Sequence, residues 1–280
     1  MPLDRRMASK KKQMKRKLII VSAVLSVVLM FNACDTVPIS GRKQLRLISE
    51  REMIGMSLQA YDEFLDTSQV LPDTHKDVIV VRRIGNRIKE AVIKYLADNG
   101  QSKRIEGFEW EFNVVNENTV NAWCMPGGKV VVYTGILPVT KDEKSLAVVM
   151  GHEIAHAVAR HGNERMSQGL AVQLGGLALS VALSEQRAET QNVFLQSYGL
   201  GSTLGILAYS RNHESEADKL GLVFMAMAGY DPQSSIAFWQ RMSEMGGQAP
   251  PQLLSTHPSD ETRIADLQAF MPEAMNYYKP

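Results

Sequence analysis

Residues 146–158 read LAVVMGHEIAHAV, and this stretch decides how the rest of the chain is read. Thr140 and Glu143, three residues apart, have the spacing of a capping box just ahead of the apolar run, so a helix is expected to begin there. His152 and His156 are four residues apart, which on a helix places both imidazoles on one face about one turn apart. Two ring nitrogens so placed can converge on a single zinc ion at about 2.0–2.1 Å. Glu153 follows the first of them, beside a metal rather than on it, where a carboxylate can take a proton from water. The flanks are apolar on every side, so the helix is expected to be buried, where unpaired His and Glu would be costly.

A zinc site needs a further ligand, and the acidic run Glu214-Ser215-Glu216-Ala217-Asp218 is the best source. Glu214 and Asp218 are i and i+4 and share a helical face. The nearer can bind metal while the other accepts a hydrogen bond from a ligand imidazole. Glu216 points off that face and is expected to be solvated or salt-bridged. His161, five residues past His156, rotates off the ligand face of a continuous helix. With His213 and His75 it is read as structural or surface.

The chain has 280 residues, 45% of them apolar and 22% charged, enough for a packed core with no bulk disorder. Its net charge of +1 conceals an asymmetry, since the first 33 residues hold eight of the 31 Lys and Arg and only one of the 30 Asp and Glu. Residues 34–280 therefore carry a net charge of −6. That balance gives no electrostatic reason to expect nucleic-acid binding. The basic run KKKQMKRK passes directly into an apolar stretch, residues 18–33, and then Cys34. This is the order of a signal peptide over residues 1–33, with Met14 a possible start. A short membrane anchor is the rival, although the apolar run falls below the roughly 17–25 residues that span a bilayer.

Cys34 after Ala33 is similar to a bacterial lipobox, which would make Cys34 a lipidation site and residues 34–48 a tether. An ordinary secreted protein with a chance Cys is the alternative. Cys124 is the other cysteine, so an acylated Cys34 leaves no intramolecular disulfide.

Between the tether and the central helix, periodicity predicts scaffold helices over residues 49–64 and 76–96. A strand-rich block follows from Phe108, with β segments at 120–125 and 129–134 joined by turn chemistry at Pro126-Gly127-Gly128. Residues 169–184 and 199–207 are small and apolar, and the first reads as a buried or lid-forming helix rather than a span.

These motifs together resemble the zinc metallopeptidase family that includes HtpX, the CaaX prenyl protease, BepA and LoiP. The carriers are Asn121-Ala122 with Pro126-Gly127-Gly128, His152 to His156, Ser210-Arg211 with Glu214 to Asp218, and His257-Pro258 with Arg263. The resemblance runs over most of residues 36–264 and is nearest the stand-alone, LoiP-like lipoprotein branch.

It implies an α+β, mainly helical gluzincin-type core with a small sheet in a protease domain over 49–280. It also implies one zinc per chain held by His152, His156 and Glu214, and an edge strand at Asn121, Ala122, Pro126, Gly127 and Gly128 to receive substrate. His257 would be a capping switch on the zinc, or a turn residue before Pro258. Arg211 and Arg263 would stabilise an oxyanion or pair with acids such as Asp218.

The function expected on this basis is a zinc endopeptidase of the bacterial cell envelope, lipid-anchored at the outer membrane and facing the periplasm. Its partners would be protein or peptide substrates and the outer-membrane assembly machinery. An assembly factor or chaperone with latent protease activity is the alternative. A purely structural zinc site is a weaker rival, because such sites close with four protein ligands.

Overall fold

The computed structural model describes residues 34–170, 209–245, 251–257 and 262–279. The leader expected at 1–33, Pro258, and most of the small apolar stretches at 169–184 and 199–207 lie outside them. The fold is mainly helical with a small sheet.

The central helix, α4 (Glu143–Val158), follows a short helix α3 (Leu137–Thr140). Thr140 ends α3 and does not cap α4. Asp142 does so, its carboxylate accepting from the Ser145 amide at 2.7 Å. As its sequence implies, α4 is buried from Ser145 through Val158.

It packs chiefly against α5 (Arg211–Met227), one continuous helix that carries the acidic run at its start. Gly151 and Gly221 face each other at the crossing. A Cβ at Gly221 would sit 2.9 Å from the His152 amide nitrogen and 3.0 Å from the Gly151 carbonyl carbon. That approach brings the acidic first turns of α5 beside the histidine face of α4. Gly221→Ala should cost about 1–3 kcal/mol in a denaturant titration, since backbone rather than a movable side chain must give way.

Around this pair lie α2 (Lys76–Asp98), α6 (Ser234–Glu244) and α8 (Arg263–Met275). On α2 the apolar stripe Ile84, Ile88, Val92 and Leu96 is fully buried. Helix α1 (Glu50–Thr67), with Ser49 as its N-cap, sits with the second apolar cluster.

The sheet has β5 (Lys129–Tyr133) in the centre, parallel to β3 (Glu111–Val115) and antiparallel to β4 (Ala122–Met125). Strand β4 is thus an edge strand. Gly127 and Gly128 turn the β4–β5 connection at φ of 89° and 80°, which suits residues without a Cβ.

Residues 34–48, expected to be a tether and docking segment, fold against the body. Strands β1 (Cys34–Thr36) and β2 (Lys43–Leu45) pair as an antiparallel hairpin. Val37, Gln44 and Ile48 are buried, so the hairpin is part of the folded body.

Candidate metal centre

Helix α4 presents His152 and His156 one turn apart, with their Nε2 atoms 3.0 Å from each other. From α5, Glu214 brings its carboxylate within 3.3 Å of His152 Nε2 and 3.4 Å of His156 Nε2. From the end of α7 (Gln252–Thr256), His257 Nδ1 lies 3.0 Å from Glu214 Oε1 and 3.3 Å from His152 Nε2. One donor atom from each of these four buried residues lies within 4.8 Å of the others.

Two atoms each about 2.0–2.1 Å from a tetrahedral zinc stand about 3.3 Å apart, so the spacing fits one ion. Glu153 Oε1 is buried without a hydrogen-bond partner, and Glu214 Oε2, likewise without one, has the Arg263 guanidinium and His152 Nε2 each at 3.3 Å. Three imidazoles converging on one buried carboxylate form a donor set that a cation would satisfy. His152, His156 and Glu214 could hold it, with His257 in reach as a fourth ligand.

Glu153 is 3% exposed, and burial pushes its carboxyl up. Its Oε1 stands 3.5 Å from His257 Nε2. Asp218 takes the place expected of it, 2.9 Å from His152 Nδ1. That contact fixes the ring so that Nε2 faces the cluster. Burial alone would raise the Asp218 carboxyl, yet Arg263 and His152 hold it below its ordinary value.

Arg263 makes the acid contacts that one of its two expectations describes. Its guanidinium donates to Asp218 Oδ1 at 2.7 Å, stands 3.3 Å from Glu214 Oε2, and lies over the Trp239 ring. It pairs with acids. Arg211, in the first turn of α5, is exposed and lines a small cavity with Glu214, Asp218 and Arg263.

Asn121 and Ala122 line a cleft with Trp123, Glu153, Tyr209 and His257, which sets the edge strand beside the metal cluster. Pro126, Gly127 and Gly128 are at the far end of β4 and do not line that cleft. Gly128 packs near Trp110.

The structure also places Glu216 and the three remaining histidines. His161 is not a surface residue. It is fully buried, its Nδ1 lying 3.0 Å from His156 Nδ1 and its Nε2 3.0 Å from Glu216 Oε2. Helix α4 ends at Val158, and Arg160 at φ 61° turns the chain before a new helical stretch at 161–170. A phase extrapolated along one continuous helix therefore fails. Glu216 is correspondingly buried and is salt-bridged, to Arg42 at 2.9 Å, rather than solvated. His213 is structural, as expected. It caps the start of α5 and contacts Glu164 at 3.1 Å. His75 is the N-cap of α2.

Tyr209, absent from the sequence expectations, packs its ring 4.0 Å from that of His156, with Arg165 over its other neighbourhood at 3.8 Å. Its only sequence signal is adjacency to Ser210-Arg211.

Comparison with known proteins agrees with this chemistry. The profile of peptidase family M48 matches residues 85–271. The mitochondrial metalloendopeptidase OMA1 of Schizosaccharomyces pombe is 36% identical over 88% of this chain and 69% of its own length. OMA1 of Saccharomyces cerevisiae is 31% identical over 97% of this chain and 81% of its own length. The β-barrel assembly-enhancing protease of Yersinia pestis is 30% identical, over 66% of this chain and 37% of its own.

These relatives overturn the expectation of a bacterial envelope enzyme lipid-anchored at the outer membrane. The relatives that span nearly the whole chain are mitochondrial enzymes, and the bacterial match is partial. OMA1 also stands where the LoiP-like branch was expected.

Proposed function

The chain belongs to peptidase family M48, and from that premise we propose how its residues divide the work of a zinc-dependent metalloendopeptidase acting on protein substrates. His152, His156 and Glu214 hold the zinc, and Glu153 is the general base. The observation that carries this reading is the convergence of buried donor atoms from α4, α5 and α7 beside Glu153, whose buried Oε1 has no hydrogen-bond partner. Zinc, when bound, supplies the positive charge that acidifies water and polarises the peptide carbonyl.

Glu153 Oε1 takes the proton of the attacking water and delivers it to the leaving amine. Asp218 and Arg263 keep His152 oriented. An extended substrate adds to the β4 edge at Asn121 and Ala122, where main-chain hydrogen bonds present its peptide bond to Glu153. The setting we infer from the relatives' names is mitochondrial.

The test is zinc content by atomic emission together with cleavage of an unstructured protein such as casein. One zinc per chain with cleavage supports the reading, and metal-free protein that cleaves equally well rules it out.

A second state follows from His257. With Nδ1 beside the ligand atoms and Nε2 toward Glu153, it occupies the side from which water and substrate would approach. A zinc with four protein ligands is closed to chemistry, so we read this arrangement as the resting form. His257→Ala should retain zinc and raise casein turnover, by about tenfold if closed molecules outnumber open ones by that ratio. Unchanged or lower turnover in zinc-replete His257→Ala would count against a closed resting form.

A further inference from the structure

The hydrogen bonds behind His156 lead away from the cleft and end on the N-terminal hairpin. His156 directs Nε2 to the metal cluster, so Nδ1 carries its proton and donates to His161 Nδ1 at 3.0 Å. His161 must then carry its own proton on Nε2, which donates to Glu216 Oε2 at 3.0 Å. Glu216 also accepts from Ser40 Oγ at 2.5 Å and from Arg42 Nε and Nη2, each at 2.9 Å.

The same guanidinium grips a second buried carboxylate. Arg42 Nη1 and Nη2 donate to Glu164 at 2.6 and 2.7 Å. Glu164 accepts in turn from His213 Nε2 at 3.1 Å and Gln44 Nε2 at 3.2 Å. Gln44 also donates to the Ala159 carbonyl at 3.0 Å, at the bend that swings His161 under His156. Arg42 is separated by 122 residues from Glu164 and by 174 from Glu216. Even so, one side chain holds the two acids on which His161 and His213 rest.

We propose that Arg42 is a positioning residue for the zinc: through Glu216 and His161 it fixes the ring of His156, so the hairpin formed by residues 34–45 completes the metal site from outside the ligand helices. A ligand imidazole whose second nitrogen is held keeps its ring plane and tautomer, and loss of such outer partners typically weakens metal binding about 10–100-fold. The planar fork of arginine suits two carboxylates at once, which a lysine ammonium cannot match. This inference rests on His156 being a zinc ligand, as proposed above.

The experiment is zinc affinity by chelator competition on the full chain, for the parent, Arg42→Ala, His161→Ala and the double variant, with Arg42→Lys and His156→Ala alongside. Arg42→Ala should weaken zinc binding by about tenfold, and Arg42→Lys should recover only part of that loss. The double variant should be no weaker than His161→Ala alone, because the two residues act through one path. A change within about twofold for Arg42→Ala, or losses that multiply in the double variant, would overturn the proposal.

If Arg42→Ala fails to fold by circular dichroism, Glu216→Gln and Ser40→Ala take its place. Parental affinity in both would equally overturn it. His156→Ala that binds zinc as tightly as the parent would instead remove the ligand assignment on which the inference stands.

Discussion

Glu153→Gln should keep its zinc and lose peptide hydrolysis, with kcat falling by about 10²–10⁴-fold, the usual contribution of a general base. The substitution preserves shape in a site where Glu153 is 3% exposed, so packing is little disturbed, while the amide cannot accept a proton. Burial pushes the Glu153 carboxyl up from its ordinary value, in the direction that makes a carboxylate a better base near neutral pH. None of the contacts that orient His152 runs through Glu153. His152 leans on Asp218, and Asp218 on Arg263. Zinc stoichiometry should therefore equal that of the parent. Turnover near the parental rate in the zinc-replete variant would show that another group takes the proton.

Stripping the metal should abolish casein cleavage and lower the melting temperature, and stoichiometric zinc should restore both. His152, His156, Glu214 and His257 are each no more than 4% exposed. Glu214 sits against three imidazoles, an assembly of buried polar groups that a divalent cation satisfies. An ion that binds only the folded chain adds about 4 kcal/mol when its free concentration is 1,000 times Kd. At about 2–4 °C per kcal/mol for a chain of 150–250 residues, the melting point should rise by roughly 8–16 °C on zinc addition. A melting temperature indifferent to zinc, with activity that survives chelation, would argue that the cluster does not hold a metal.

The parts of this molecule that could be read without coordinates are those governed by local periodicity. Whereas the edge position of Ala122 is what the family resemblance implies, the i, i+4 spacing of His152 and His156, the burial of α4 and the stripe on α2 all follow from patterns confined to one element. Glu214 and Asp218 were legible for the same reason, although their approach to α4 depends on Gly151 facing Gly221, which no single segment reveals. The start of α4 was misplaced because Asp142 competes with Thr140 for the cap and makes the better bond.

His161, Glu216, Glu164 and Arg42 were beyond reach from sequence. His161 was assigned by extending a helical phase through Arg160, whose left-handed backbone resets that phase. Glu216 lies off the Glu214 face, which leaves solvent and a salt bridge both open, and the 34–45 hairpin, by covering that side of α5, makes it a salt bridge. The compartment is not legible in residues 1–33 for a different reason, since a basic run followed by an apolar one is shared by leaders with different destinations.

The sequence by itself carried the outline of the site, because HEIAH sets two histidines on one helical face with Glu153 beside them, and the ESEAD run sets Glu214 and Asp218 on one face of another helix. Only the tertiary structure decided which groups stand behind the ligands and what covers the front. Those contacts join residues more than a hundred positions apart, and their existence depends on how closely whole elements pack rather than on any local preference of the chain.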